Sequence, residues 1–174
     1  IYLRYTGSPL PVQVHDSFYL FENSYWRVPR GTDAMAEPRS VYAFHMTLGR
    51  NGLFSLFPVT LLGLAGIIMA VGRSTDAWKR VAVSSAIGLV LLTLYYVTST
   101  NNYGGVAFGF RWFIIAAPVL LVLAIPALVR ARHPLAWGVM GVLLAVSIWS
   151  TYQCSRHPWS VDREWTAGVF GTRL

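Results

Sequence analysis

The sequence predicts a mainly α-helical polytopic membrane protein, with four transmembrane helices preceded by an extracytoplasmic, partly extended segment and an interfacial helix. Three observations carry this reading. Of the 174 residues 55% are hydrophobic and only 12% charged, about half the charged fraction of a soluble domain. Four apolar stretches approach the roughly 20 residues that cross a hydrocarbon core of about 30 Å. Short polar loops separate them, so neighbouring helices run antiparallel.

The net charge of +7 is topological. All but one of the 14 basic residues are arginines spread singly along the chain, with no basic run and no zinc-finger or homeodomain pattern, so nucleic acid is not expected and membrane lipids are. The lone Cys154 excludes an internal disulfide or a cysteine metal site. No His/Cys/carboxylate set has zinc spacing and no nucleophile signature occurs, so neither a metal nor a cofactor is expected. The chain begins at Ile1 without a secretory signal pattern and reads as a piece of a longer protein.

Residues 1–53 form the extracytoplasmic segment. "PVQVHDSFYLFENSYW", residues 11–26, is rich in β-branched and aromatic residues in partial alternation and predicts extended or short-strand structure. "GTDAMAEPRS" is turn-rich. Val41, Phe44 and Leu48 then share one face of a short interfacial helix that ends at Gly49. Arg50, Asn51 and Gly52 turn the chain into the first of four spans, 54–72, 81–98, 112–129 and 134–152. Residues 153–174 form an extracytoplasmic tail, in which Asp162, Arg163 and Glu164 are read as solvated between interfacial Trp159 and Trp165.

Within region 54–152, Gly63, Gly66, Ala82, Ser84, Ala86 and Gly88 are small enough for helices to approach closely. Pro118 and Pro126 each remove a backbone donor and predict bends in the third span. No Asp, Glu, Lys or Arg lies inside a span, which argues against an ion-coupled transport path. The loops "RSTDAWKR" and "RARHP" are the densest in basic residues and fall on one side. The positive-inside tendency makes them cytoplasmic, with both termini outside.

One loop carries chemistry. In "NNYGGVAFGFRW", residues 101–112, Gly104, Gly105 and Gly109 permit positive φ and can present successive backbone N–H groups to an anion. Arg111 adds a planar fork of donors suited to phosphate. Asn101, Asn102 and Tyr103 supply neutral donors and acceptors, and His45 and Arg50 lie within a turn and a half of the interfacial helix, close enough to converge on an anionic group. Tyr103, Gly104, Gly105, Gly109, Asn102, Arg111, His45 and Arg50 are therefore the candidate substrate-binding residues. The same pattern also suits a tight re-entry turn, with Arg111 snorkelling to lipid headgroups. A nucleotide P-loop is excluded, because Phe110 and Arg111 replace its Lys-Ser/Thr pair.

"FHMTLGRNGLFSLFPVTLLGLAG", residues 44–66, and "YGGVAFGFRWFIIAAPVLL", residues 103–121, resemble two segments of bacterial polytopic membrane proteins related to GT-C-type glycosyltransferases. The resemblance implies part of a membrane enzyme, at the bacterial inner membrane, that transfers a sugar from a polyprenyl-phosphate carrier to an acceptor at the outer face. The implied partners are membrane lipids and a lipid-linked sugar donor. Two departures stand out. Phe110 replaces the family's Pro, and no segment matches the family's first-loop catalytic carboxylate, so Asp16, Glu22, Asp33 and Glu37 are not cast in that role and the catalytic residue is unknown. The alternative is a non-catalytic membrane scaffold or subunit.

Overall fold

The computed structural model describes residues 2–10, 15–30, 36–73, 76–100, 102–105, 107–159 and 165–170, and among these the fold is helical, with no strand. Helix α1 (Tyr2–Thr6) and the single turn α2 (Asp16–Tyr19) lead to a 3-10 turn at Tyr25–Arg27. The extended structure expected over 11–26 is thus replaced, in its described part, by turns. Ser24 explains this locally: its Oγ accepts the Trp26 N–H at 3.2 Å and donates to the Tyr19 carbonyl. Short polar side chains offer the backbone such alternatives to a ladder.

Helix α3 (Arg39–Thr47) starts after Pro38, and it stops where the N–H groups of Leu48 and Gly49 both return to the Phe44 carbonyl, each at 2.8 Å. Tyr42 and Met46 face the core, leaving Val41, Phe44 and Leu48 on the exposed side.

The first expected span, 54–72, is not one helix. It divides into α4 (Leu53–Leu56), a 3-10 turn at Pro58–Thr60 and α5 (Leu61–Arg73). Pro58 is the cause: it has no N–H to give the helix and forces the preceding residue out of the α region, and Phe57 sits at φ −127° and ψ 65°. The freed groups find partners. Thr60 Oγ1 donates to the Phe57 carbonyl at 2.6 Å, and the Val59 N–H donates to Ser147 Oγ at 3.0 Å. What remains as α5 is 13 residues, about 20 Å at 1.5 Å per residue.

Helix α6 (Asp76–Ser99) follows, then a 3-10 stretch at Arg111–Ile115 that continues into α7 (Ala116–Leu123) and α8 (Ile125–Arg130). Pro118 marks the change from 3-10 to α, and Pro126 the break at Ala124. Helix α9 (Pro134–Arg156) is opened by His133, whose side chain accepts the Leu135 N–H at 3.2 Å; a last turn, α10 (Ala167–Phe170), closes the described chain. Among the described residues three helices, over Ala77–Ser99, Arg111–Arg130 and Pro134–Arg156, are long and apolar enough to cross a membrane, and a shorter apolar stretch runs over Pro58–Gly72.

Helix α5 is the centre of the bundle, packed on α6, α7 and α8. Its glycines set the distance. A Cβ on Gly63 would stand 2.3 Å from the Leu120 carbonyl oxygen, and one on Gly66 only 1.7 Å from that of Leu123. Ala82 packs with Ala70 and Leu123, whereas Ser84 and Gly88 face outward. Arg130 Nη1 reaches across to the Met69 carbonyl at 3.2 Å. Helix α9 stands against the Pro58–Thr60 turn. The main core, built from Tyr42, Met46, Leu53, Tyr103, Phe110 and Phe113 with α7 beneath, lies where α3, α4 and the glycine loop meet.

Candidate functional site

The glycine loop is built from its root outward. Helix α3 grips that root: Arg39 Nη1 donates to the Thr100 carbonyl, and the Tyr42 hydroxyl donates to the Asn102 carbonyl at 2.7 Å and bonds Thr100 Oγ1 at 2.6 Å. Asn102 Oδ1 accepts the Gly104 N–H at 2.8 Å, the local bond by which an Asn side chain makes a turn. Gly104, Gly105 and Gly109 take φ of +91°, +80° and +69°. Gly104 is needed twice over, since a Cβ there would also lie 2.5 Å from Trp112 Nε1.

Tyr103 points inward. Its ring is fully buried, 4.9 Å from that of Tyr42, and its hydroxyl donates to Glu37 Oε2. Burial, reinforced by the Glu37 carboxylate, pushes the phenol far above its ordinary pKa. Burial also raises Tyr42. His45 lies edge-on to Tyr103, with ring centroids 6.5 Å apart, and its Nδ1 accepts the Arg50 N–H at 3.3 Å. An Nδ1 that accepts puts the proton of the neutral ring on Nε2. Burial lowers the His45 pKa; Glu37 opposes this and Arg50 adds to it.

The turn at 50–52 joins three parts of the chain. Arg50 is 3% exposed and its carbonyl accepts Thr166 Oγ1 at 2.6 Å, while the Asn51 carbonyl accepts the Phe110 N–H at 2.8 Å. The C-terminal segment is tied down again by Trp165 Nε1 donating to Ser150 Oγ at 2.7 Å and by the Phe108 N–H donating to the Pro158 carbonyl at 3.0 Å. The expected tail is thus tied back on the fold at Pro158, Trp165 and Thr166. Residues 162–164, like Asn101, lie outside the described residues.

The expected site residues fall into two groups. Tyr103, His45 and Arg50 gather with Glu37 in an inner cluster that also holds the root of the loop, and Asn102, Gly104 and Gly105 form the turn beside it. Gly109 and Arg111 instead line a cleft of about 400 Å³ with Asn51, Phe108, Cys154 and Trp159. Arg111 is exposed at its rim. A second, almost wholly apolar cavity of about 290 Å³ lies among α4, α5, α6 and α7, with Thr47 at one end and Leu89, Leu94 and Leu120 along it; Leu53 and Phe113 are walls of both. Sequence reasoning missed Glu37, Pro158 and Trp159, whose partners are far away in the chain and leave no local pattern. Among the described residues no three His, Cys, Asp or Glu side chains gather as a metal site would need.

Chemically, the cleft combines a permanent guanidinium and an aromatic edge next to an apolar groove. That arrangement suits an anionic head joined to an apolar body. Comparison with protein-family models, curated proteins and solved structures gives no match.

Proposed function

We propose that the chain is the donor-holding part of a membrane glycosyltransferase that takes a sugar from a polyprenyl-phosphate carrier at the outer face of a bacterial inner membrane. The observation that carries this reading is Arg111 at the rim of a cleft that shares two walls, Leu53 and Phe113, with an apolar groove. The guanidinium would face the phosphate and the groove would take the first part of the isoprenoid chain. In this reading α6, the Arg111–Arg130 helix and α9 cross the membrane, and α5 with its Pro58 turn enters as a fourth, shorter element. Loops 73–80 and 130–134 are then cytoplasmic.

A non-catalytic scaffold is supported by a different observation. Gly104 and Gly109 have packing reasons for being glycine, against Trp112 and against Leu56 Cδ1, 2.9 Å from a built Cβ. The two readings separate on Arg111 and Gly105. Arg111→Lys keeps the charge and loses the bidentate fork; Gly105→Val meets open space and opposes the positive φ alone. Transferase activity of the full-length protein, normalised to inserted protein, is expected to fall by about tenfold or more in Arg111→Lys, a loss of ~1.4 kcal/mol or more. Activity equal to the parent in both variants would leave the loop as a turn and favour the scaffold.

A further inference from the structure

The C-terminal end of α9 supplies the cleft with side chains that a phosphate alone would not require. Trp159 lines the cleft with its side chain 69% exposed, so much of the indole is available for contact rather than packed in the core. It is not a loose end: the preceding carbonyl, of Pro158, is fixed by the Phe108 N–H at 3.0 Å, so loop 107–110 and Trp159 are held together as parts of one wall. The cleft is of the size that small-molecule sites occupy. An indole presents a broad, rigid apolar face at small conformational cost, with only two rotatable side-chain bonds. Exposed Arg111 offers polar contacts from a separate element. An apolar face beside polar edges matches a saturated polyhydroxylated ring, whose C–H face is apolar and whose rim is hydroxylated.

We infer that Trp159 is the stacking platform for a glycosyl ring in this cleft, and so a specificity-determining residue of the site proposed above. The inference rests on that reading of the cleft, and it adds a sugar contact on a segment outside the glycine loop. Trp159 bears on the ring, while Arg111 bears on the anionic group.

Cys154, the chain's one cysteine, lines the same cleft and gives a readout that needs no turnover. The purified protein in lipid nanodiscs is treated with a small methanethiosulfonate, and the rate of Cys154 modification is followed with three probes. These are octyl β-glucoside below its micellar concentration, an octyl oligoethylene glycol ether with the same tail and no ring, and farnesyl phosphate. The expected result is that the glucoside slows modification and the ether does not. Trp159→Ala should weaken that protection about tenfold, with farnesyl phosphate protecting as before; Trp159→Phe should retain much of it. Equal protection by glucoside and ether would mean that only the tail is bound, and overturns the platform. Protection by farnesyl phosphate alone overturns it too, while leaving the phosphate reading intact. Protection by none of the three removes both. Because the Trp159 side chain is largely exposed, an unchanged unfolding temperature in Trp159→Ala separates lost binding from lost fold.

Discussion

Tyr103 has two roles on one side chain: its ring fills the core beside Tyr42, and its hydroxyl satisfies Glu37. Tyr103→Phe keeps the ring and removes the donor. The expected cost is about 1 kcal/mol, less than is usual for a bond to a carboxylate because Glu37 is only partly buried. Thermal unfolding in detergent measures it, and an unchanged midpoint would show that the bond contributes nothing. Glu37→Gln retains an acceptor and should cost less. The pH dependence has a definite sign. The folded phenol titrates above the unfolded value of about 10, so its contribution is whole below pH 10 and is lost as the pH climbs beyond it. Tyr103→Phe should flatten that alkaline limb. The positive φ of Gly104 and Gly109 was legible in the sequence, since a cluster of glycines beside Asn is itself a turn signal. The Tyr103–Glu37 pair was not, because its members lie 66 positions apart and nothing near either residue marks the other.

Among the elements, α5 shows most directly how packing fixes geometry. Gly66 meets the backbone of α7, not a side chain that can swing aside. Gly66→Ala must therefore separate the helices, and a loss of about 1–3 kcal/mol is expected by thermal or denaturant unfolding. Gly138→Ala on α9 is the matched control, since a Cβ there meets nothing within 4 Å; helix propensity would make it neutral or slightly stabilising. Equal behaviour of the two would refute the close contact. Helices α6 and α9 were legible because each is a long apolar run closed by charge or turn residues. The division of the first expected span was not legible, because its apolar content runs on across Pro58 while the backbone breaks there. Its break is stabilised from outside the segment, by Ser147 on α9, which no local reading detects. The interruption at Ala124, ahead of Pro126, and the 3-10 start before Pro118 have their cause within the helix itself, where a local reading can find it.

For the molecule as a whole, sidedness is the property on which the proposed function depends. Lys79 and Ser99 lie near opposite ends of α6, about 30 Å apart at helical rise. In a Cys154→Ser background, an impermeant thiol reagent on intact cells should label Ser99→Cys and not Lys79→Cys. The reverse pattern would invert the orientation and take the outer-face donor site with it, and labelling of both would show that α6 does not cross. The cleft itself was only partly visible in the sequence: Arg111 and Gly109 belong to a motif that can be read, whereas Pro158 and Trp159 join them only through tertiary bonds. Those bonds also impose an order on assembly. A ribosome delivers the chain from the N-terminus, and domains begin to fold as they emerge. The turn at 50–52 is made well before Thr166, which secures the Arg50 carbonyl from 116 positions further along the chain. The helices up to α8 can therefore associate before the cleft exists, and its second wall arrives only once Pro158 and Trp159 have been made. A nascent protein that stops short of Pro158 holds the glycine loop and no enclosed site, so ligand binding reports that synthesis has run past it.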